Sequence, residues 1–203
     1  RVYSFEPGRT HYNYLRRLLW GTNISLTMAA VGSSTGTVEF FTPGFDTNAR
    51  HSATLSASNP IVHTEGTQVE TVKQVSLDEF FRGNVGPGEH VDFLKVDVEG
   101  YEFEVFKGGV GIIEAYHPLI VCEIEARHNA EYAKVFQLLR GLGYSCHVYL
   151  RGELQKFDHD TIEAVQREED LAVRLSADYK PSDNTYINNF IFQHPASRTK
   201  VTK

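Results

Sequence analysis

The chain has 203 residues, a formal net charge of −6, 41% hydrophobic residues and 23% charged residues. That length suits one domain, and the composition is ordinary for a globular fold. The acidic balance argues against a nucleic-acid partner, because phosphate binding wants a basic surface, and no stretch approaches the ~20 apolar residues of a membrane span.

Residues 1–5 read as the end of a strand, stopped by Glu6-Pro7-Gly8, since proline removes a donor and glycine permits a turn. Thr10 is placed to cap a helix carrying Tyr12, Leu15, Leu18 and Leu19, with Gly21 as its C-terminal stop. Ile24 to Val31 reads as one strand closed by Gly32, and Thr37 to Thr42 as a shorter, antiparallel or peripheral one. Residues 43–67 are rich in Ser, Thr, Asn, Gly and Pro, and a loop that long is usually functional or mobile. Arg50 and His51 within it are candidates for a lid. Gln68 to Val75 alternates as an edge strand would, and Ser76 is placed to cap a short helix.

The most informative stretch is Val91-Asp-Phe-Leu-Lys-Val-Asp-Val-Glu-Gly-Tyr-Glu102. Its apolar first half reads as a buried central strand of a parallel sheet. Lys95 and Asp97, two apart, project to one side of that strand, and Glu99 joins them if the extended geometry persists. Buried charges are costly unless paired or usefully solvated. They form either a structural ion pair or a ligand site, since crevices in open α/β sheets lie at the carboxyl ends of the strands. Beyond Gly100 come a helical turn at 102–106, a break at Gly108-Gly109 and a resumed helix at 110–115. A strand at 119–124 follows, with Glu123 and Glu125 at its end. Then come an amphipathic helix at 130–142 stopped by Gly143, a strand at 144–150, a helix at 161–169 and a last strand at 188–193. Cys122 and Cys146 sit in apolar runs and are expected to be free thiols of a cytoplasmic protein, with a disulfide as the alternative. The N-terminus does not read as a signal peptide. Asp158-His159-Asp160 is read as a polar turn rather than a metal site, because three consecutive side chains cannot converge. This order of elements means an open α/β sheet with helices on both faces.

Several short motifs then acquire a joint meaning: Phe5-Glu6-Pro7, Ala29-Ala30-Val31-Gly32, Ser76-Leu77-Asp78, Phe93 through Gly100 with Glu102, Lys107-Gly108 and Gly143-Tyr144. In that order and spacing, over roughly residues 1–150, the chain resembles the FkbM-type family of S-adenosylmethionine-dependent methyltransferases. The resemblance implies a class I methyltransferase, Rossmann-like open sheet, mostly parallel with the last strand antiparallel. One domain over residues 1–195 and a basic flexible tail at 196–203 are expected. It implies that Glu6 accepts hydrogen bonds from the ribose hydroxyls of S-adenosylmethionine, with Pro7 beside it and Ala30 and Val31 flanking the adenine. Asp97 stands near the cofactor's sulfonium or amino-acid end, and Asp97, Glu99 and Glu123, supported by Lys95, are candidates for the base or acceptor-orienting group. The acceptor is expected to be a hydroxyl of a sugar, lipid or secondary metabolite.

The chain departs from that family in one respect. The first strand and its glycine-rich loop are not found, so residues 1–203 are expected to be a fragment that binds the cofactor poorly on its own. A non-catalytic binding or scaffolding domain derived from a methyltransferase is therefore the rival reading. A dinucleotide enzyme is disfavoured because no Gly-x-Gly-x-x-Gly loop is present.

Overall fold

The structure, a computed structural model, describes residues 1–44, 53–57, 59–84, 86, 88–129, 131–150, 152–158, 162–175 and 185–201. The strands form three hydrogen-bonded groups. In the first, β1 (Val2–Phe5) runs parallel to β2 (Ile24–Thr27), joined by helix α1 (Arg9–Leu18). In the second, β5 (Gln68–Val75) is the middle strand, with β3 (Ala30–Val31) parallel on one side and β4 (Gly36–Thr42) antiparallel on the other.

The third group follows α2 (Leu77–Arg82). It comprises β6 (Phe93–Val96), β7 (Leu119–Glu123), β8 (Ser145–Leu150), β9 (Glu153–Lys156) and β10 (Asn189–Gln193), in the order β6-β7-β10-β8-β9. β6 and β7 are parallel, while β10 is antiparallel to both β7 and β8. Helices α3 (Glu102–Lys107), α4 (Val110–Tyr116) and α5 (Tyr132–Gly141) join these strands, and α6 (Ile162–Val165) and α7 (Glu168–Arg174) precede β10. The main core gathers Phe106, Ile113, Ile120, Ile124, Leu139 and Phe190, all almost fully buried. Cys122 and Cys146 are both free.

Local chemistry explains most of these elements. Ser76 caps α2 by accepting from the Glu79 amide at 3.3 Å. Asp78, one turn further, caps a different helix: its carboxylate accepts from the Gly111 and Ile112 amides of α4, each at 2.9 Å. That tertiary cap satisfies two of the helix's orphan donors. Gly108 lies against Gly32 so closely that a Cβ there would stand 2.0 Å from the Gly32 carbonyl oxygen. Gly143, at φ +85°, ends α5 in the left-handed conformation that glycine adopts most easily.

Several expectations are corrected. The run 24–31 is not one strand; it breaks after Thr27, and Ala30-Val31 joins another group. β5 is a central strand rather than an edge, because β4 covers its other side. Thr10 does not cap α1; it lies inside the helix, whose N-cap is Gly8 without a side-chain bond. The helix at 161–169 is two short helices, and β9 is a strand the reading did not foresee. β6 is not a buried central strand. It is the edge of its group, and Phe93 is 51% exposed although Val91 and Val96 are buried. In the segment read as a flexible tail, Ser197 is buried and Lys200 donates to the carbonyls of His194 and Pro195.

Candidate functional site

Two strand edges face one cleft. Among the described residues β1 pairs only with β2 and β6 only with β7, and both line a cavity of about 1010 Å³. Tyr3 and Phe5 of β1 are held in place by edge-to-face contacts with Phe80 and Phe81 of α2, at centroid distances of 4.8–5.4 Å. Such aromatic pairs add about 0.5–1.5 kcal/mol beyond their burial.

Glu6 lies at the carboxyl end of β1 and on the cleft wall. Its Oε1 accepts from the Gly8 amide at 2.7 Å, and no described residue bonds Oε2. Burial pushes the Glu6 carboxyl up from its ordinary range, against the Gly8 hydrogen bond and the charge of His11. A Cβ at Gly8 would stand 2.9 Å from Glu6 Oε1, so a larger residue there would make that carboxylate shift. Pro7, Ala30 and Val31 also line the cleft, as does Ala29, which the sequence reading left out of the site. Ala29 and Ala30 are buried, so this wall is small-sided and apolar.

The strand ends of β6 and β7 deliver a charged cluster. Lys95 Nζ reaches Asp97 Oδ2 at 3.3 Å and Glu123 Oε2 at 4.0 Å. Lys95, Asp97 and Glu99 line the cleft. Burial and the neighbouring Asp97 push the Glu123 carboxyl up, with Lys95 opposing. The structure thus brings Lys95, Asp97 and Glu123 together, while Glu99 turns away from them. Glu99 has φ +47°, a left-handed conformation unusual for a residue with a side chain. Its carboxylate meets His128 Nδ1 at 2.7 Å.

The residues supporting Glu99 were not singled out in the sequence. Thr54 Oγ1 and Asn59 Nδ2 both donate to the Glu99 carbonyl, at 2.7 and 2.9 Å. Gly100, at φ +95°, follows, and a Cβ there would stand 2.5 Å from the His128 carbonyl oxygen. Glu102 is almost fully buried; its two oxygens accept from the Gly100 amide and from Asn129 Nδ2, each at 2.7 Å. Glu125 is held by Arg127 and by Asn188, which also binds Glu123 at 2.6 Å. Burial raises the Glu125 carboxyl, but the Arg127 and Asn188 bonds and the His128 charge outweigh it and lower it overall. The only signal in the sequence for His128 was its place five residues after Glu123, beyond a strand end. Arg50 and His51, read as lid candidates, lie outside the described residues, as do His159 and Asp160. Among the described residues no group of His, Cys, Asp and Glu is arranged to hold a metal ion, and no helix is long and apolar enough to cross a membrane.

Two strand edges over a cleft, an acidic strand end on one wall and a charged cluster on the other define an α/β protein with a crevice at its strand ends. Residues 1–146 match the methyltransferase FkbM domain, and the chain belongs to that family. It is 33% identical over 128 residues to the hexuronic acid methyltransferase AglP of Haloferax volcanii, an alignment covering 62% of this chain and 47% of that protein. The chain therefore spans about half the length of the curated relative it matches. It is also similar to the crystal structure of methyltransferase FkbM from Methylobacillus flagellatus KT, at 15% identity and a TM-score of 0.47, covering 95% of this chain and 36% of that one.

Proposed function

We propose that the cleft between β1 and β6 binds S-adenosylmethionine and that the protein transfers a methyl group to a hydroxyl of a sugar, lipid or other small acceptor. Family membership supports the transfer, and the hexuronic acid methyltransferase among its relatives supports a sugar acceptor. The observation that carries the reading is Glu6: a carboxylate at a strand end, one oxygen anchored by Gly8 and the other unbonded by any described residue, opening on a cleft with a small apolar wall. A carboxylate with spare lone pairs suits two ribose hydroxyls. Pro7 sets the backbone beside it, and the Ala30–Val31 wall leaves room for a flat adenine ring. These residues fit the cofactor, which when bound supplies an electrophilic methyl group on a sulfonium.

The chain's own residues have then to orient the acceptor and take its proton. Lys95, Asp97 and Glu99 line the same cleft as Glu6, and Glu123 stands beside Lys95, so hydroxyl-bearing acceptors would find hydrogen-bond partners there. Asp97, beside Lys95, also suits the positively charged end of the cofactor.

Titration calorimetry with S-adenosylmethionine and S-adenosylhomocysteine on the full-length protein tests the reading. Binding that Glu6→Ala weakens by tenfold or more is expected. Absence of binding by the full-length protein transfers the case to a non-catalytic binding or scaffolding domain.

A further inference from the structure

We propose that His128 is the general base that takes the acceptor's proton and that Glu99 is the positioning residue that fixes its imidazole. The proposal rests on the methyltransferase reading and deepens it. Nδ1 of His128 lies 2.7 Å from Glu99 Oε2, and a carboxylate can only accept, so Nδ1 carries the hydrogen. The lone pair is thereby left on Nε2, which has no hydrogen-bond partner among the described residues and is not a buried orphan. A carboxylate that holds an imidazole in one tautomer, with the other nitrogen free to accept, is the arrangement from which histidine abstracts a hydroxyl proton.

The scaffold around the pair is built for that geometry. Glu99 is held at φ +47° by two donors on its carbonyl, Thr54 and Asn59. A non-glycine residue in that region costs about 1–3 kcal/mol and persists where the surroundings enforce it, often at functional sites. Glu102 ties Gly100 to Asn129, the residue after His128, so the two loops carrying the pair are clamped together. The charged groups facing His128 are Glu99, Glu125 at 3.8 Å from Nδ1, and Arg127, which is itself bonded to Glu125. Glu125 is therefore neutralised by Arg127, which leaves Glu99 as the partner of the imidazole. Glu99 lines the cleft, and His128 is bonded to its carboxylate.

In the step, the acceptor oxygen forms a bond to the methyl carbon as the carbon–sulfur bond breaks, with its electron pair remaining on sulfur. The acceptor's proton passes to His128 Nε2, and Glu99 balances the resulting imidazolium.

The test has two readouts on the full-length protein. Ring ¹⁵N NMR of His128 is expected to show the Nδ1-protonated tautomer in the wild type and its loss in Glu99→Gln. An Nε2-protonated wild type overturns the proposal without any assay of transfer. Methyl transfer is measured on methyl glucopyranoside and methyl glucuronopyranoside, with S-adenosylmethionine affinity measured alongside. His128→Gln is expected to lower kcat about 100-fold or more, the range of general-base contributions, with the cofactor affinity unchanged. Glu99→Gln is expected to lower kcat with the cofactor affinity unchanged, because the imidazole loses the carboxylate that fixes it. Wild-type kcat in His128→Gln, or a wild type that binds the cofactor but methylates neither glycoside, overturns the proposal. A wild type that does not bind the cofactor overturns the methyltransferase reading first, and the proposal with it.

Discussion

At the scale of single residues, the acidic positions of the cleft divide by what they touch. Glu102 reads in the sequence like one more acidic member of the Asp97–Glu99 run. Burial and its bonds to Gly100 and Asn129 make it a clamp instead. Glu102→Ala leaves the buried Asn129 amide unpaired, which costs about 1–3 kcal/mol, and frees the half-buried Gly100 N–H, so a lowered urea midpoint is the expected result. Burial raises the Glu102 carboxyl above its ordinary value. A raised acid stabilises the fold when protonated, so this contribution is present at low pH and is lost as pH rises through the folded value. Removing the carboxyl in Glu102→Ala should therefore reduce the pH dependence of stability just above the ordinary carboxylate range. Glu6 carries a different expectation. On the proposed reading its ionised form accepts from ribose hydroxyls, and burial raises its carboxyl as well. Cofactor affinity should fall on acidification earlier than an ordinary carboxylate would require, and Glu6→Gln should flatten that dependence in calorimetric titrations across pH. The sequence made Glu6, Ala30 and Asp97 legible because their motifs are local. It could not reveal Thr54, Asn59 or His128, whose bonds to Glu99 span 45, 40 and 29 positions.

At the scale of elements, the short motifs turn out to be joints between elements. The Ser76-Leu77-Asp78 run caps its own helix with Ser76 and the next helix but one with Asp78. Asp78→Ala should cost about 0.5–2 kcal/mol, the range of a lost cap, and amide exchange should quicken at Gly111 and Ile112. Gly108 permits the α3–α4 corner to lie against Gly32. Overpacking of that kind costs about 1–3 kcal/mol, and Gly108→Ala should lower the thermal midpoint accordingly. Most strands were legible from apolar runs bounded by glycine and proline. The break after Thr27 was not, because Ile24 to Val31 contains no glycine or proline and only the sideways partners decide where one strand ends. β5 was read as an edge because Gln68 to Val75 alternates. Alternation describes the two faces of a strand and says nothing of its neighbours on either side.

At the scale of the whole molecule, the proposed site is the cleft that β1 and β6 both line. β1 contributes an acidic strand end, β3 a small apolar wall, and β6 with β7 a cluster of charges, all around one cleft. The class of fold was legible from the alternation of strands and helices, and the family from the joint order of its motifs. The separation of the strands into three groups was not, because lateral pairing leaves no local mark. The central claim is that this cleft is the S-adenosylmethionine site. The most direct test is ultraviolet crosslinking of methyl-tritiated S-adenosylmethionine to the full-length protein, followed by peptide mapping. The label should fall on peptides from residues 1–8, 29–31 or 91–99 and be displaced by S-adenosylhomocysteine. Label on peptides outside the cleft, or label that S-adenosylhomocysteine does not displace, would contradict the account.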